Sequence, residues 1–304
     1  MMHIPLVSII IPVYNAAKYM REAIDSALAQ TYPNIEVLVV NDGSNDGGET
    51  ERIALSYCDQ IRYFGKKKNE GVSSVLNIGI REMRGDYFSW LSHDDLYHPE
   101  KVAAQVGYLN RMDRDDILVY TDYEFIDGDG RTIRTLALPH ISPEWFRYFI
   151  AATSDLNGCS LLIPKKCFDE VGIFETAERI TQDYRMWFRM AEKFEFHHLP
   201  QNLVKLRLHG DQVTVKLLDR MNRDCDLLKY SFIDEFDRSG IGIPPGESRG
   251  RMYADLALAM ARQKYGRSFR YAARLALRHL FDQPFYCIPL SLAKVLFAFY
   301  KSLR

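Results

Sequence analysis

The chain begins with a short, nearly continuous apolar run, Leu6-Val7-Ser8-Ile9-Ile10-Ile11-Pro12-Val13, the signature of a strand buried on both faces. Over Ala16–Gln30 the period changes, and Met20, Ala23, Ile24, Ala27 and Leu28 recur at helical spacing. Ile35–Val40 is a second buried strand that stops at the turn-rich Asn41-Asp42-Gly43-Ser44-Asn45-Asp46-Gly47-Gly48. A helix around Glu49–Tyr57, a strand near Ile61–Phe64, a helix near Ser73–Met83 and a strand over Asp86–Leu91 continue the alternation. This βαβαβαβ order predicts an α/β fold with a mostly parallel sheet flanked by helices. Ligands of such sheets sit beyond the carboxyl ends of the strands, which here carry Asp42 and the pair Asp94-Asp95.

Further along, Lys101–Met112 reads as a helix, Ile117–Tyr120 as a strand and Ile126–Arg131 as a hairpin turn. A helix near Pro143–Ala151, a strand near Cys159–Ile163, a helix near Tyr184–Lys193 and short strands up to Leu208 come next. From about 216 the strand pattern ceases, and helices near 217–238 and 252–264 flank the break Gly240–Gly246. The expected division is therefore a region 1–215, in two parts at about 6–125 and about 126–215, and an α-helical extension over 216–304.

Charge sharpens this division. The whole chain has 39 basic and 40 acidic side chains, which gives no general attraction to nucleic acid. Residues 1–215 nevertheless hold 23 basic and 31 acidic side chains, and residues 216–304 hold 16 and 9. In the last 56 residues Arg267, Arg270, Arg274 and Arg278 form one helical stripe, with the apolar, aromatic stretches Pro284–Leu290 and Val295–Tyr300 after it. Two readings of 267–304 stand: an amphipathic surface that rests on an anionic membrane, or helices that pack against protein. The five cysteines lack any CxxC pair, so neither a disulfide framework nor a zinc ribbon is expected. Met1–Pro5 has no basic run, and no leader peptide is expected; the location implied is cytoplasmic, peripheral at the inner membrane face if the tail binds lipid.

The residues at the strand ends exclude several chemistries. Pro12-Val13-Tyr14-Asn15 stands where a dinucleotide fold carries its glycine turn, and neither a GxxxxGK[ST] loop nor a Gly-x-Ser-x-Gly elbow is present. Adjacent carboxylates past a buried strand repel each other and call for a cation, unless they cap the helix that starts near Pro99.

Ile11-Pro12-Val13-Tyr14-Asn15, Asn41–Asp46, Asn69-Glu70-Gly71, Gly85-Asp86-Tyr87, Asp94-Asp95 and Gln182-Asp183 occur in the order seen in family 2 glycosyltransferases, and residues 6–210 resemble that family. The resemblance implies a GT-A fold and an inverting transfer of a sugar from a nucleotide diphosphate donor, with a divalent cation (Mn²⁺ or Mg²⁺) at the departing diphosphate. On that basis Asp95 is the expected metal ligand of a DxD-type motif and Asp94 the ribose contact. Ser92 stands where the family often has a further Asp. Asp42 is the expected reader of a pyrimidine base, through the ring N3–H of uracil or thymine. Pro12 and Tyr14 line the base, and Asn69 and Gly71 belong to the donor loop. Asp183 is the expected catalytic base, with Gln182 in place of the frequent Glu, and Asn157 and Gly158 resemble the acceptor-side loop. His209 is either a ligand of the metal or diphosphate, or a structural histidine. His93 is a bystander in this reading, His197-His198 are structural, and Trp187 and Phe188 belong to the core. The implied partners are a UDP- or dTDP-sugar and a glycan or lipid-linked acceptor of the cell envelope. The rival from another class is a non-catalytic nucleotide-sugar binding protein on the same fold, for which Gln182 and Ser92 speak.

Overall fold

A computed structural model describes residues 4–178, 180–210, 212, 216–240 and 248–279. The chain forms two compact units, one of residues 1–140 and 155–212, the other of 141–154 and 213–304. The segment 141–154 thus groups with the C-terminal helices, although it lies inside the stretch 126–215 expected on the acceptor side.

In the first unit, β1 (Val7–Val13) is buried along its whole length and lies between β2 (Ile35–Asn41) and β4 (Tyr87–Trp90). β3 (Arg62–Gly65) pairs with β2, and all three of these pairings are parallel. The crossovers are α1 (Met20–Leu28), α2 (Glu49–Leu55) and α3 (Val72–Glu82). The fully buried run Val7, Ile9, Ile10 and Ile11 explains why no alternation of polar residues marks β1. A fifth strand, β8 (Ile163–Pro164), adds antiparallel to β4 at the edge. Of the strand expected over Cys159–Ile163, only Ile163 falls within β8, and Leu162 forms an isolated bridge. Asn157 instead accepts the backbone N–H of Cys159 at 2.8 Å and starts a tight 3₁₀ turn over Gly158–Ser160.

A second, four-stranded sheet has the order β5-β9-β6-β7. It comprises β5 (Leu96–Tyr97), β6 (Ile117–Ile126), β7 (Thr132–Leu136) and the long β9 (Glu195–Arg207). The expected hairpin is present: Asp127 accepts the N–H groups of Asp129 and Arg131 at 2.9 Å each, and Gly130 takes φ +83°. A bridge between Val119 and Leu162 joins β6 to the chain entering β8. Helices α4 (Lys101–Met112), α6 (Lys165–Val171) and α7 (Gln182–Met190) complete the unit. The start of α4 has no side-chain cap, so capping by Asp94-Asp95 does not explain that pair.

In the second unit, α5 (Pro143–Ala152) packs with α8 (Leu218–Ser239), α9 (Arg249–Arg262) and α10 (Gly266–Arg278). Its ties are polar as well as apolar. Lys229 Nζ donates to Ile150 O at 2.6 Å, Arg147 pairs with Glu235, and Asp226 accepts the N–H groups of Arg267 and Ser268 at the start of α10. The Gly240–Gly246 break, beyond Gly240, and the aromatic end 280–304 lie outside the described residues.

Candidate active site

The first unit brings two acidic strand ends to the same side of the parallel sheet. At the β2 end, Asp42 is only 3% exposed. Its Oδ1 accepts Lys66 Nζ at 2.9 Å and the N–H of Glu70 at 3.0 Å, and its Oδ2 accepts the N–H of Gly71 at 2.7 Å. Asp42 therefore anchors the loop that carries Asn69 and Gly71, and Gly71, at φ +93°, opens α3. A carboxylate offers about four acceptor positions, so Oδ2 retains capacity for one further donor.

The adjoining turn is knitted side chain to side chain. Asn41 Oδ1 accepts both the N–H and the hydroxyl of Ser44, at 3.0 and 2.7 Å. Asn15, in the left-handed region at φ 48°, exchanges hydrogen bonds with Asn45 at 2.7 and 2.9 Å. Tyr14 is 38% exposed at this rim, with its hydroxyl 3.5 Å from Asn45 Oδ1. Pro12 is buried two residues earlier, within β1, and its carbonyl accepts a hydrogen bond from His93, whose pKa burial pushes down.

At the β4 end the two carboxylates separate. Asp95 is 6% exposed, and its Oδ1 accepts the backbone N–H of Arg207 at 2.9 Å. Its Oδ2 lies 3.5 Å from Cys159 Sγ, which also meets Ser92 N and Oγ at 3.4 Å. Burial, and then the neighbouring Asp94 carboxylate, hold the Asp95 carboxyl well above the usual carboxylate range. Asp94 lies 3.0 Å from His209 Nε2 through Oδ2, which Gln212 Nε2 also approaches at 3.4 Å. Asp95 is turned inward to β9 and Cys159, and Asp94 is the carboxylate that meets His209.

Among the described residues no three His, Cys, Asp or Glu side chains converge as a protein-only metal cage. Asp94 and His209 supply a hard oxygen and an imidazole nitrogen. That small donor set suits a divalent ion completed by phosphate oxygens.

Asp183 sits in the first turn of α7, where its Oδ1 accepts the N–H of Tyr184 at 2.8 Å. The Tyr184 hydroxyl accepts the N–H of Leu156 at 2.9 Å, which ties α7 to the segment entering Asn157 and Gly158. Gly158 has no substitute here, since a Cβ would fall 2.5 Å from Trp90 Cε3. Gln182 is 5% exposed, and its Oε1 has no hydrogen-bond partner among the described residues. Trp187 and Phe188 are core residues, as expected, at 0% and 2% exposure. His198 is also structural: it bonds Asp122 at 2.8 Å and stacks on Tyr120.

Sequence reasoning passed over Arg207, Gln212 and Tyr19. Arg207 is 1% exposed, and its guanidinium lies 4.5 Å from the Tyr19 ring, which in turn is 4.9 Å from His209. No signal marked Arg207: in Val204-Lys205-Leu206-Arg207-Leu208 the charged residues alternate with apolar ones, so Arg207 reads as part of the solvent-facing side of a strand.

Known proteins place this geometry in context. A relative from Rickettsia felis, named an uncharacterized glycosyltransferase, is 50% identical over 76% of this chain, but the chain spans only 38% of that protein. The structure of S. aureus TarS 1-349 in complex with UDP-GlcNAc superposes with a TM-score of 0.63 at 14% identity, covering 98% of this chain and 82% of that one. The mannosyltransferase PcManGT from Pyrobaculum calidifontis, in complex with GDP-Man and Mn²⁺, gives 0.58 at 18% identity, covering 99% and 88%. These likenesses show the GT-A fold, with its helical C-terminal part. The model of the family described as glycosyl transferase family 2 matches residues 8–174, more than half of the sequence, from the first strand past the acidic pair and the Asn157 turn; the chain belongs to glycosyl transferase family 2.

Proposed function

We propose that this chain transfers a sugar, with inversion, from a UDP- or dTDP-sugar to a hydroxyl of a glycan or lipid-linked acceptor of the cell envelope. The observation that carries the reading is the Asp94–His209 pair, 3.0 Å apart beyond the sheet, with Asp95 buried behind it. Asp94 and His209 would hold a divalent ion, Mn²⁺ or Mg²⁺. That ion supplies Lewis-acid stabilisation to a departing diphosphate. Asp42 accepts the N3–H of uracil or thymine at Oδ2, while its other bonds keep the Asn69–Gly71 loop in place. Tyr14 gives the base an aromatic rim. Asp183 takes the proton of the acceptor hydroxyl as the oxygen attacks the anomeric carbon, and a single displacement inverts that carbon. Asn157, Gly158 and Gln182 border the acceptor.

The second unit contributes a separate surface. α10 buries Phe269, Ala272, Ala273, Leu275 and Ala276 and exposes Arg267, Arg270, Arg274 and Arg278. No described helix is long and apolar enough to cross a membrane. In our reading this arginine face, with the rest of 267–304, meets an anionic membrane from the cytoplasmic side. Co-sedimentation with phosphatidylglycerol vesicles at low salt, lost on Arg270→Glu and Arg274→Glu, is the expected result; no sedimentation would remove this part.

The activity is tested by a donor screen with UDP-, dTDP- and GDP-sugars, with Mn²⁺, Mg²⁺ or EDTA, following nucleotide release. Metal-dependent release from a uridine or thymidine donor, lost in Asp183→Asn, supports the reading. Donor binding with no turnover and no response to Asp183→Asn would favour the non-catalytic rival. No metal-dependent binding of UDP or dTDP would sink the proposal.

A further inference from the structure

Arg207 ends β9 with its guanidinium 1% exposed, a position that an always-charged side chain tolerates only when its donors are matched. They are matched one by one. Nε donates to the carbonyl of Asp94 at 3.0 Å, and NH1 donates to the carbonyl of Gly128 at 2.9 Å, with that of Asp127 at 3.4 Å. NH2 donates to Glu22 Oε2 at 2.7 Å, and the plane covers the Tyr19 ring. The backbone N–H of the same residue donates to Asp95 Oδ1. One residue therefore holds the peptide of Asp94 and the carboxyl of Asp95 together. It ties both to α1 through Glu22 and to the β6–β7 turn through Gly128.

The consequence falls on Asp94. Its carbonyl is fixed by Arg207 Nε, and the next side chain is fixed by Arg207 N, so the loop has little freedom to turn the Asp94 carboxylate away. His209 lies two residues beyond Arg207, and Gln212 bonds both Arg207 O at 2.6 Å and Asp94 Oδ2. The end of β9 thus delivers the imidazole and the clamp to the same carboxylate. A lysine at 207 would supply a point charge without the planar fork that serves Asp94, Gly128 and Glu22 at once. Of the charged groups around the guanidinium, Glu22 is the one that is half-exposed, with 54% of its side chain accessible.

We infer that Arg207 is a positioning residue for the divalent-ion site: it sets the Asp94–His209 pair, and Glu22 aligns it from α1. The inference rests on the glycosyltransferase reading but is tested on ion binding, which needs no acceptor and no turnover.

The experiment titrates Mn²⁺ into the full chain with UDP present, by electron paramagnetic resonance of free Mn²⁺, for wild type, Arg207→Lys, Glu22→Gln and the double variant. Thermal melting is followed in parallel. Arg207→Lys should weaken Mn²⁺ binding about tenfold or more. In the donor assay its kcat at saturating Mn²⁺ should recover most of the wild-type value. Glu22→Gln, at an exposed position, should keep its melting temperature and weaken Mn²⁺ binding about threefold, with no further loss in the double variant. A merely structural arginine would lower the melting temperature and leave the Mn²⁺ affinity of the folded fraction unchanged, and that result overturns the inference. Wild-type affinity in Glu22→Gln, or a double variant whose loss is the product of the two single losses, also overturns it. If wild type binds no Mn²⁺ with UDP, the metal-dependent reading and this inference fall together; wild-type binding with unaffected variants removes the inference alone.

Discussion

The β2 end and the β4 end of the parallel sheet each present a buried carboxylate, and they resolve the charge in opposite ways. At the β2 end, Lys66 reaches Asp42 at 2.9 Å and two backbone N–H groups finish the site. At the β4 end, Lys101 is fully buried beneath the strand. Its Nζ bonds Ser89 Oγ at 3.0 Å and Gln105 Oε1 at 2.9 Å, and burial pulls its pKa down to about 7. The partners of Lys101 are neutral, and neither Asp94 nor Asp95 is among them. A carboxylate answered by protein donors serves as an anchor, and a pair left short of positive charge is where an external cation gains most.

The largest expected effect breaks the β4 side of this contrast. Asp94→Asn should lower metal-dependent turnover roughly a thousandfold. Its melting temperature should hold or rise, because one of two repelling carboxylates is gone. Steady-state rates and a thermal scan on the same preparation check both halves.

Next comes the lysine beneath β4. The unfolded chain keeps the Lys101 proton up to its ordinary pKa of about 10.5, whereas the folded protein gives it up near 7. Between these values the unfolded state binds more protons, so stability rises with pH across that window. From pH 7 to pH 9 wild type should gain about 2.5 kcal/mol relative to Lys101→Met, at about 1.36 kcal/mol per pH unit. Urea midpoints at the two pH values measure it, and a gain in the opposite direction would contradict a discharged lysine.

Asp42→Asn should act the other way round from Asp94→Asn. It loses the Lys66 pair and one N–H acceptor, at about 2 kcal/mol of stability, and UDP binding weakens with it. Chemical denaturation and calorimetric titration separate these from any change in kcat. The smallest effect belongs to the exposed rim: Asn45→Ala removes the bond from Asn15 Nδ2 to Asn45 Oδ1, keeps the one donated by the Asn45 backbone N–H, and should cost about 0.5–1 kcal/mol, visible as a small shift of the urea midpoint.

The sequence exposed the parallel core because strands buried on both faces write themselves as unbroken apolar runs, and β1 and β2 are nearly pure examples. β9 was harder to read. Pro200, Gln201 and Asn202 interrupt its apolar pattern, and it reads as several short strands. In the folded chain Thr121 pairs with Leu199 and Asp122 with Asn202, so Pro200 and Gln201 are looped out and the strand continues. Asp42, Asp94 and His209 were legible as residue types at strand ends. Which carboxylate faces outward was not, because Arg207 and Cys159 decide it from 112 and 64 residues away from Asp95. Such distant contacts leave no periodicity in the sequence.

The split second unit bears on how the chain is made. Phe146, Phe149 and Ile150 of α5 are buried in a unit whose other described helices, α8 to α10, are synthesised much later. At about 5–20 residues per second, α5 waits roughly 6–25 s after its own synthesis before the last of its partners leaves the ribosome. The first unit has all of its strands by residue 207. A nascent chain that stalls past this point therefore carries the described strands complete and a helix whose apolar side still lacks its cover, and that helix is where a chaperone or a protease would find it.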